Sequence, residues 1–258
     1  MAIGVAQSGS VVVVELQEPP HNFLTPSLVE EVVAALEEAS GNPSVGCAVL
    51  AAQGRSFCAG ANFGGGDERS EGRELIGGGL TERLYAAAAR LCAIEIPIVA
   101  AVHGPAVGGG LGLAMTANMR VTCAEARFCA NFATLGIHQG FGLSTTLPEL
   151  IGPSRASMVL LTARRFDGVE ATRLGLADVC VAADDVRATA TDLAAEIAAN
   201  APLAVRSINR TLREGLADRV RRATRLEAAE QSRLGATADA AEGIRAVAER
   251  RPGRFLGR

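Results

Sequence analysis

Two short stretches hold residues whose spacing could serve chemistry: "RSFCAGANF" (55–63) and "GPAVGGGLG" (104–112). Each follows an apolar run and each precedes a helical pattern. A tight strand-to-helix turn accounts for either one alone, because glycine reaches backbone angles closed to other residues. Two such turns in the same half of one chain allow more. Backbone N–H groups from both could converge on one oxygen, reinforced by the dipole of a helix starting near Gly109. Each donor of such an oxyanion hole supplies about 3 to 4 kcal/mol of transition-state stabilisation. "GGGLG" also echoes the dinucleotide fingerprint GxGxxG, but the spacing fails and no glycine turn follows the first strand.

Few side chains offer proton transfer. His138, in "LGIHQGFG", carries an imidazole, the kind of side chain that suits general acid–base work; the alternative is that it only caps or lines a pocket. His103 stands where the chain leaves a buried strand and reads as structural. His21, in "EPPHNF", follows two prolines. Glu82 and Tyr85 lie nearly one helical turn apart and could point the same way. For Glu82 and Glu149 a solvated helix face is the plainer reading. The basic residues are all arginine, so Schiff-base chemistry and a lysine base are excluded. Six scattered cysteines with no CxxC pair read as buried free thiols, with no metal site.

These residues need a frame. "VVVVEL" (11–16) reads as a strand. Thr25 and Pro26 start a helix with an N-cap and a proline at its first position. "VGCAVLAA" (45–52) is the next strand. A helix of about two dozen residues around "LTERLYAAAARLCAI" is expected to run to Pro97. "IVAAVHG" follows as a strand, then the glycine helix, then "RVTCAEARFCANF" as a strand pair or one bent strand. Beyond Gly152 helical patterns alternate with breaks at Gly168, Gly175 and Pro202. Strands alternating with helices argue for an α/β core. The last third reads as an appended helical region, dividing the chain into residues 1–195 and 196–258.

A chain of 258 residues at 48% hydrophobic and 21% charged residues is an ordinary globular protein with ample core. Its net charge of −3 gives no reason to expect a nucleic-acid partner. No run is long and apolar enough for a membrane, and the first residues lack a leader pattern, so a cytoplasmic location is expected.

The stretches "GRSFCAGAN", "PIVAAVHGPAVGGGLGLA" and "R-F-x-x-x-F-A-x-L-G-I", with "LTARRFDGVEATRLGLADVCV" and the closing "RPGRFLGR", resemble the crotonase superfamily, the enoyl-CoA hydratase/isomerase family. The resemblance implies a spiral of ββα units with a C-terminal helical region that assembles trimers, often paired into hexamers. It implies a CoA thioester substrate, no separate cofactor, and lyase or isomerase chemistry in fatty acid metabolism. Carried across residue by residue, Ala61 and Gly109 match the two amides that hold the thioester oxygen. Ala59, Phe63 and Gly64 match substrate-binding positions, Ala59 and Phe63 beside the adenine. The family's two hydratase glutamates fall on Gly112 and Phe132. A further acidic site, used by dienoyl-CoA isomerases and aromatic dehalogenases, falls on Gly140. Hydration needs a positioned base and a positioned acid, so these three positions argue against it. His138 remains as the proton-transfer candidate, and Phe132, Ile137, Phe141 and Leu143 as an apolar acyl wall. Three readings follow: an enolate-stabilising thioester enzyme, a decarboxylase or thioesterase in the same pocket, and a catalytically silent acyl-CoA-binding subunit.

Overall fold

The computed structural model describes residues 2–63, 75–76 and 78–258. β1 (Ile3–Ser8) and β2 (Val11–Leu16) form an antiparallel hairpin. β1 was not anticipated: it is an edge strand with most of its residues exposed, so it carries little apolar pattern. α1 (Pro26–Gly41) starts where the Leu28 N–H donates to Thr25 Oγ at 3.1 Å, a cap worth about 1 kcal/mol. Leu28, Val29, Val32, Val33 and Leu36 are its buried face, at the expected helical spacing. Arg206 closes its far end by donating to the carbonyls of Ser40, Asn42 and Val45.

β3 (Cys47–Ala52) is buried along its whole length and pairs parallel with β2. α2 spans Gly79–Leu91. This 13-residue helix is about half the expected length and ends well short of Pro97. Two β-branched residues, Ile94 and Ile96, and the restriction a proline puts on its predecessor favour extended chain there.

β4 (Ile98–Val102) joins the sheet beside β3, followed by β5 (Ala106–Val107) and α3 (Gly109–Met115). The expected strand pair is β6 (Met119–Cys123) and β7 (Arg127–Cys129), but the two enter different sheets. A 3-10 turn (Ala133–Leu135) leads to α4 (Leu143–Ile151) and α5 (Pro153–Thr162). Then come β8 (Arg165–Asp167), α6 (Gly168–Leu174), β9 (Val179–Val181) and α7 (Val186–Ala198). α8 (Pro202–Leu212), α9 (Leu216–Gly235) and α10 (Ala238–Ala248) complete the chain.

The main sheet has the order β1-β2-β3-β4-β6-β9 and is parallel from β2 onward. A parallel sheet must be covered, and its strands read accordingly as continuous apolar runs. α7 lies against β3, β4 and β6 and spans both sides of the 195/196 division. β5, β7 and β8 form a second, small sheet that the chain enters just after β4. α9 packs on α2 and α4, and α10 on the 3-10 turn. No helix among the described residues is long and apolar enough to cross a membrane.

Candidate active site

The two glycine turns are laced together by backbone alone. The Cys58 N–H donates to Pro105 O at 3.1 Å and the Val107 N–H to Cys58 O at 3.0 Å. The first turn is also tied to the segment before α1: Ala59 N–H donates to His21 O at 3.0 Å and Leu24 N–H to Gly60 O at 2.9 Å. Approach this close leaves no room for side chains. A Cβ at Gly60, whose φ is +76°, would lie 2.4 Å from Val107 O, and one at Gly110 would lie 2.1 Å from Cys58 O. Only glycine fits both.

The same geometry sets the amides. The Gly60 Cβ position lies 3.6 Å from the Gly109 nitrogen, which brings Ala61 and Gly109 into one neighbourhood. Gly109 opens α3, where backbone N–H groups point out of the helix unpaired. Among the described residues, neither the Ala61 nor the Gly109 amide donates to an acceptor of the chain. Both residues line one small cavity of about 50 Å³.

The cavity wall is apolar, with Leu24, Phe63, Leu84, Phe132, Ile137 and Phe141 on it, and Ala59 beside them. Leu143, expected there, is instead buried in the core at the start of α4 and is not part of the lining. Gly64 lies outside the described residues. Asn131, Tyr85 and Gln231 are the polar members. Among the described residues, no lining side chain is a carboxylate, an imidazole or a thiol.

The three positions singled out for missing acids are occupied by other matter. A Cβ at Gly112 would fall 2.7 Å from Phe141 Cβ, and Phe132 is itself part of the wall. At Gly140 a Cβ would fall 1.9 Å from the Tyr85 hydroxyl. That hydroxyl donates to Gln231 Oε1 at 2.7 Å, while Gln231 Nε2 donates to His138 O at 2.8 Å. Burial, aided by the nearby Glu227 carboxylate, holds the Tyr85 phenol well above its usual range, opposed by its hydrogen bonds with the Phe141 backbone and the Gln231 side chain. It stays protonated at any physiological pH.

Sequence reasoning missed Gln231 and Glu227. Glu227 is fully buried on α9, and its carboxylate accepts the N–H groups of Gly142 (2.8 Å) and Ser144 (3.0 Å) at the start of α4. Burial raises its pKa, with those amides opposing the rise. The signal was present: Val220, Thr224, Glu227 and Gln231 fall at spacings of four, three and four, one helix face.

The remaining expected groups are placed elsewhere. His138 is half-buried, its Nδ1 lies 2.8 Å from Gln139 O, and it does not line the cavity. His103 Nε2 bonds Gly54 O at 3.0 Å, and His21 packs against Phe23 with Nδ1 3.4 Å from Ser56 Oγ. Glu82 is exposed, and Glu149 pairs with Arg219 at 2.7 Å. All six cysteines are free, five of them buried. Cys58 sits between the two turns, but burial pushes its thiol up to about 12, so it is no nucleophile. No three metal-ligating side chains cluster among the described residues.

Comparison with known proteins finds relatives along nearly the whole chain. The family model described as enoyl-CoA hydratase/isomerase matches residues 6–258. The chain is 33% identical over 239 residues to a crotonyl-CoA hydratase of Syntrophomonas wolfei, covering 91% of this chain and 90% of that one. In structure it is similar to an enoyl-CoA hydratase/isomerase of Pseudoalteromonas atlantica, with a TM-score of 0.84 at 25% identity over 99% of this chain and all of the other. An enoyl-CoA hydratase of Mycobacterium avium subsp. paratuberculosis gives 0.83 at 26% identity, covering 99% of each chain.

Proposed function

Given that the chain belongs to the enoyl-CoA hydratase/isomerase family, we propose that it binds a CoA thioester with the carbonyl oxygen between the Ala61 and Gly109 amides. The observation that carries this is the lacing of the two turns, which leaves both N–H groups unclaimed beside one apolar cavity. Negative charge developing on the thioester oxygen as an enolate forms is met by donors already in place, so little reorganisation is needed. Ala59 and Phe63 lie on the way in and hold the CoA portion, with Gly64 next in sequence. Phe132 and Phe141 cover the acyl group and keep water from it.

Ordinary hydration is not part of the proposal. Water addition requires a base and an acid flanking the α,β bond. The positions that match the family's glutamates are Gly112 and Phe132, and phenylalanine rings take that space. A second reading gains from the same lining, since Tyr85 is its only titratable group among the described residues and stays protonated. Decarboxylation of a malonyl-type thioester needs no base. The bond from Cα to the carboxylate breaks, carbon dioxide leaves, and the electron pair passes into the enolate held by the two amides, whose Cα then takes a proton from solvent water. Desolvation of the carboxylate by the phenylalanines favours that step. Residues 196–258 would join copies of the chain into a trimer, singly or in pairs.

The test is a panel of acyl-, enoyl- and malonyl-type CoA thioesters with product detected by mass. Turnover of at least one class, lost in Gly109→Pro, is expected, because proline removes one donor and distorts the helix start. Binding without turnover would make the chain a silent acyl-CoA-binding subunit. Absence of binding to every thioester would overturn the proposal.

A further inference from the structure

Two hollows meet at one residue. The inner cavity of about 50 Å³ holds the Ala61 and Gly109 amides in its lining. An outer groove of about 750 Å³ runs between α2 and α9, lined by Ala86, Thr224, Ala228 and Ala229 with charged residues around them. Among the described residues Tyr85 alone lines both. Tyr85 is 5% exposed, and its hydroxyl is pinned by Gln231, whose amide is fixed in turn by His138 O. Gly140 must lack a side chain for the ring to stand where it does.

We propose that Tyr85 is the partition that sets acyl length, confining the substrate to a short acyl group of about two or three carbons beside its carbonyl oxygen. A water-sized atom needs roughly 10–15 Å³ of such space, so about 50 Å³ takes three or four heavy atoms. A longer chain meets the Tyr85 ring. This inference rests on the thioester reading above. It assigns Tyr85 a positioning role, held by Gln231, and no part in proton transfer.

The test is binding, read by calorimetry, of saturated acyl-CoA thioesters from two to eight carbons, which needs no turnover. Each methylene taken into an apolar site tightens binding about fourfold. In the unaltered chain that gain should stop near three carbons. In Tyr85→Ala it should continue into the groove, so that the eight-carbon thioester binds at least tenfold more tightly than to the parent. Tyr85→Phe keeps the ring and should keep the parental limit. Ala228→Phe added to Tyr85→Ala refills the groove and should restore it. If Tyr85→Ala does not fold, Tyr85→Val is read in the same way. A parent whose gain continues from three carbons to eight, or a folded Tyr85→Ala or Tyr85→Val with the parental limit, overturns the partition while leaving thioester binding intact. A parent that binds no thioester overturns the underlying reading and this inference with it.

Discussion

Gly110→Ala puts the site's construction to the hardest test, because it adds one methyl group and touches no proposed donor. The added Cβ would stand 2.1 Å from Cys58 O and 2.7 Å from Cys58 C. That is about 1.3 Å short of the 3.4 Å at which ordinary contact begins. Cys58 O cannot rotate aside without giving up the Val107 N–H. The two turns must therefore part, and Ala61, three residues beyond Cys58, moves relative to Gly109. Misplacement of reacting groups by about 1 Å costs on the order of 100-fold in rate, close to the loss of one oxyanion donor outright. Overpacking should also cost about 1–3 kcal/mol of stability, or about 2–4 °C of Tm per kcal/mol. The assay is kcat/KM by mass-detected product on whichever thioester class reacts, with thermal unfolding alongside. Gly41→Ala is the control, since nothing lies within 4 Å of its Cβ position. A folded Gly110→Ala within threefold of parental kcat/KM would refute the argument.

Other outcomes follow from the same geometry. Crotonyl-CoA should show negligible loss of enoyl absorbance, and Gly112→Glu with Phe132→Glu should lower Tm more than it restores hydration, because Phe141 Cβ already stands 2.7 Å from the Gly112 Cβ position. His138→Ala should keep turnover within about tenfold of the parent; a loss of two to four orders of magnitude with binding intact would return His138 to the role of proton carrier. Glu227 has a raised folded pKa, so between 4.5 and that higher value the folded chain holds a proton the unfolded chain has released. Stability then falls as pH rises through that window, and Glu227→Gln should flatten the slope in urea unfolding measured across it.

The parts of the molecule legible from sequence are those set by local rules. Thr25 and Pro26 mark a helix start by chemistry within one turn, and "VVVVEL" and "CAVLAA" are strands because a doubly covered sheet needs apolar residues at every position. The glycine turns were legible for the same reason. What escaped depends on distant partners. Tyr85 and Gln231 are 146 residues apart, and nothing in the neighbourhood of either announces their bond. Glu227 reads as a surface charge until α4 is seen to start against it. His138 failed as a cavity residue for a complementary reason: its loop does border the cavity, through Ile137 and Gly140, but its ring turns to the Gln139 carbonyl.

The lacing of the two glycine turns also bears on how such a protein can change. The proposed anchor for a thioester carbonyl is written in main chain, so substitution of neighbouring side chains cannot delete it. Under that proposal a wall side chain such as Phe132 can change while the grip on the ligand survives. Reactivity and recognition thus reside in separable inheritances: the first can be rewritten one codon at a time, and the second persists as long as the turns stay glycine.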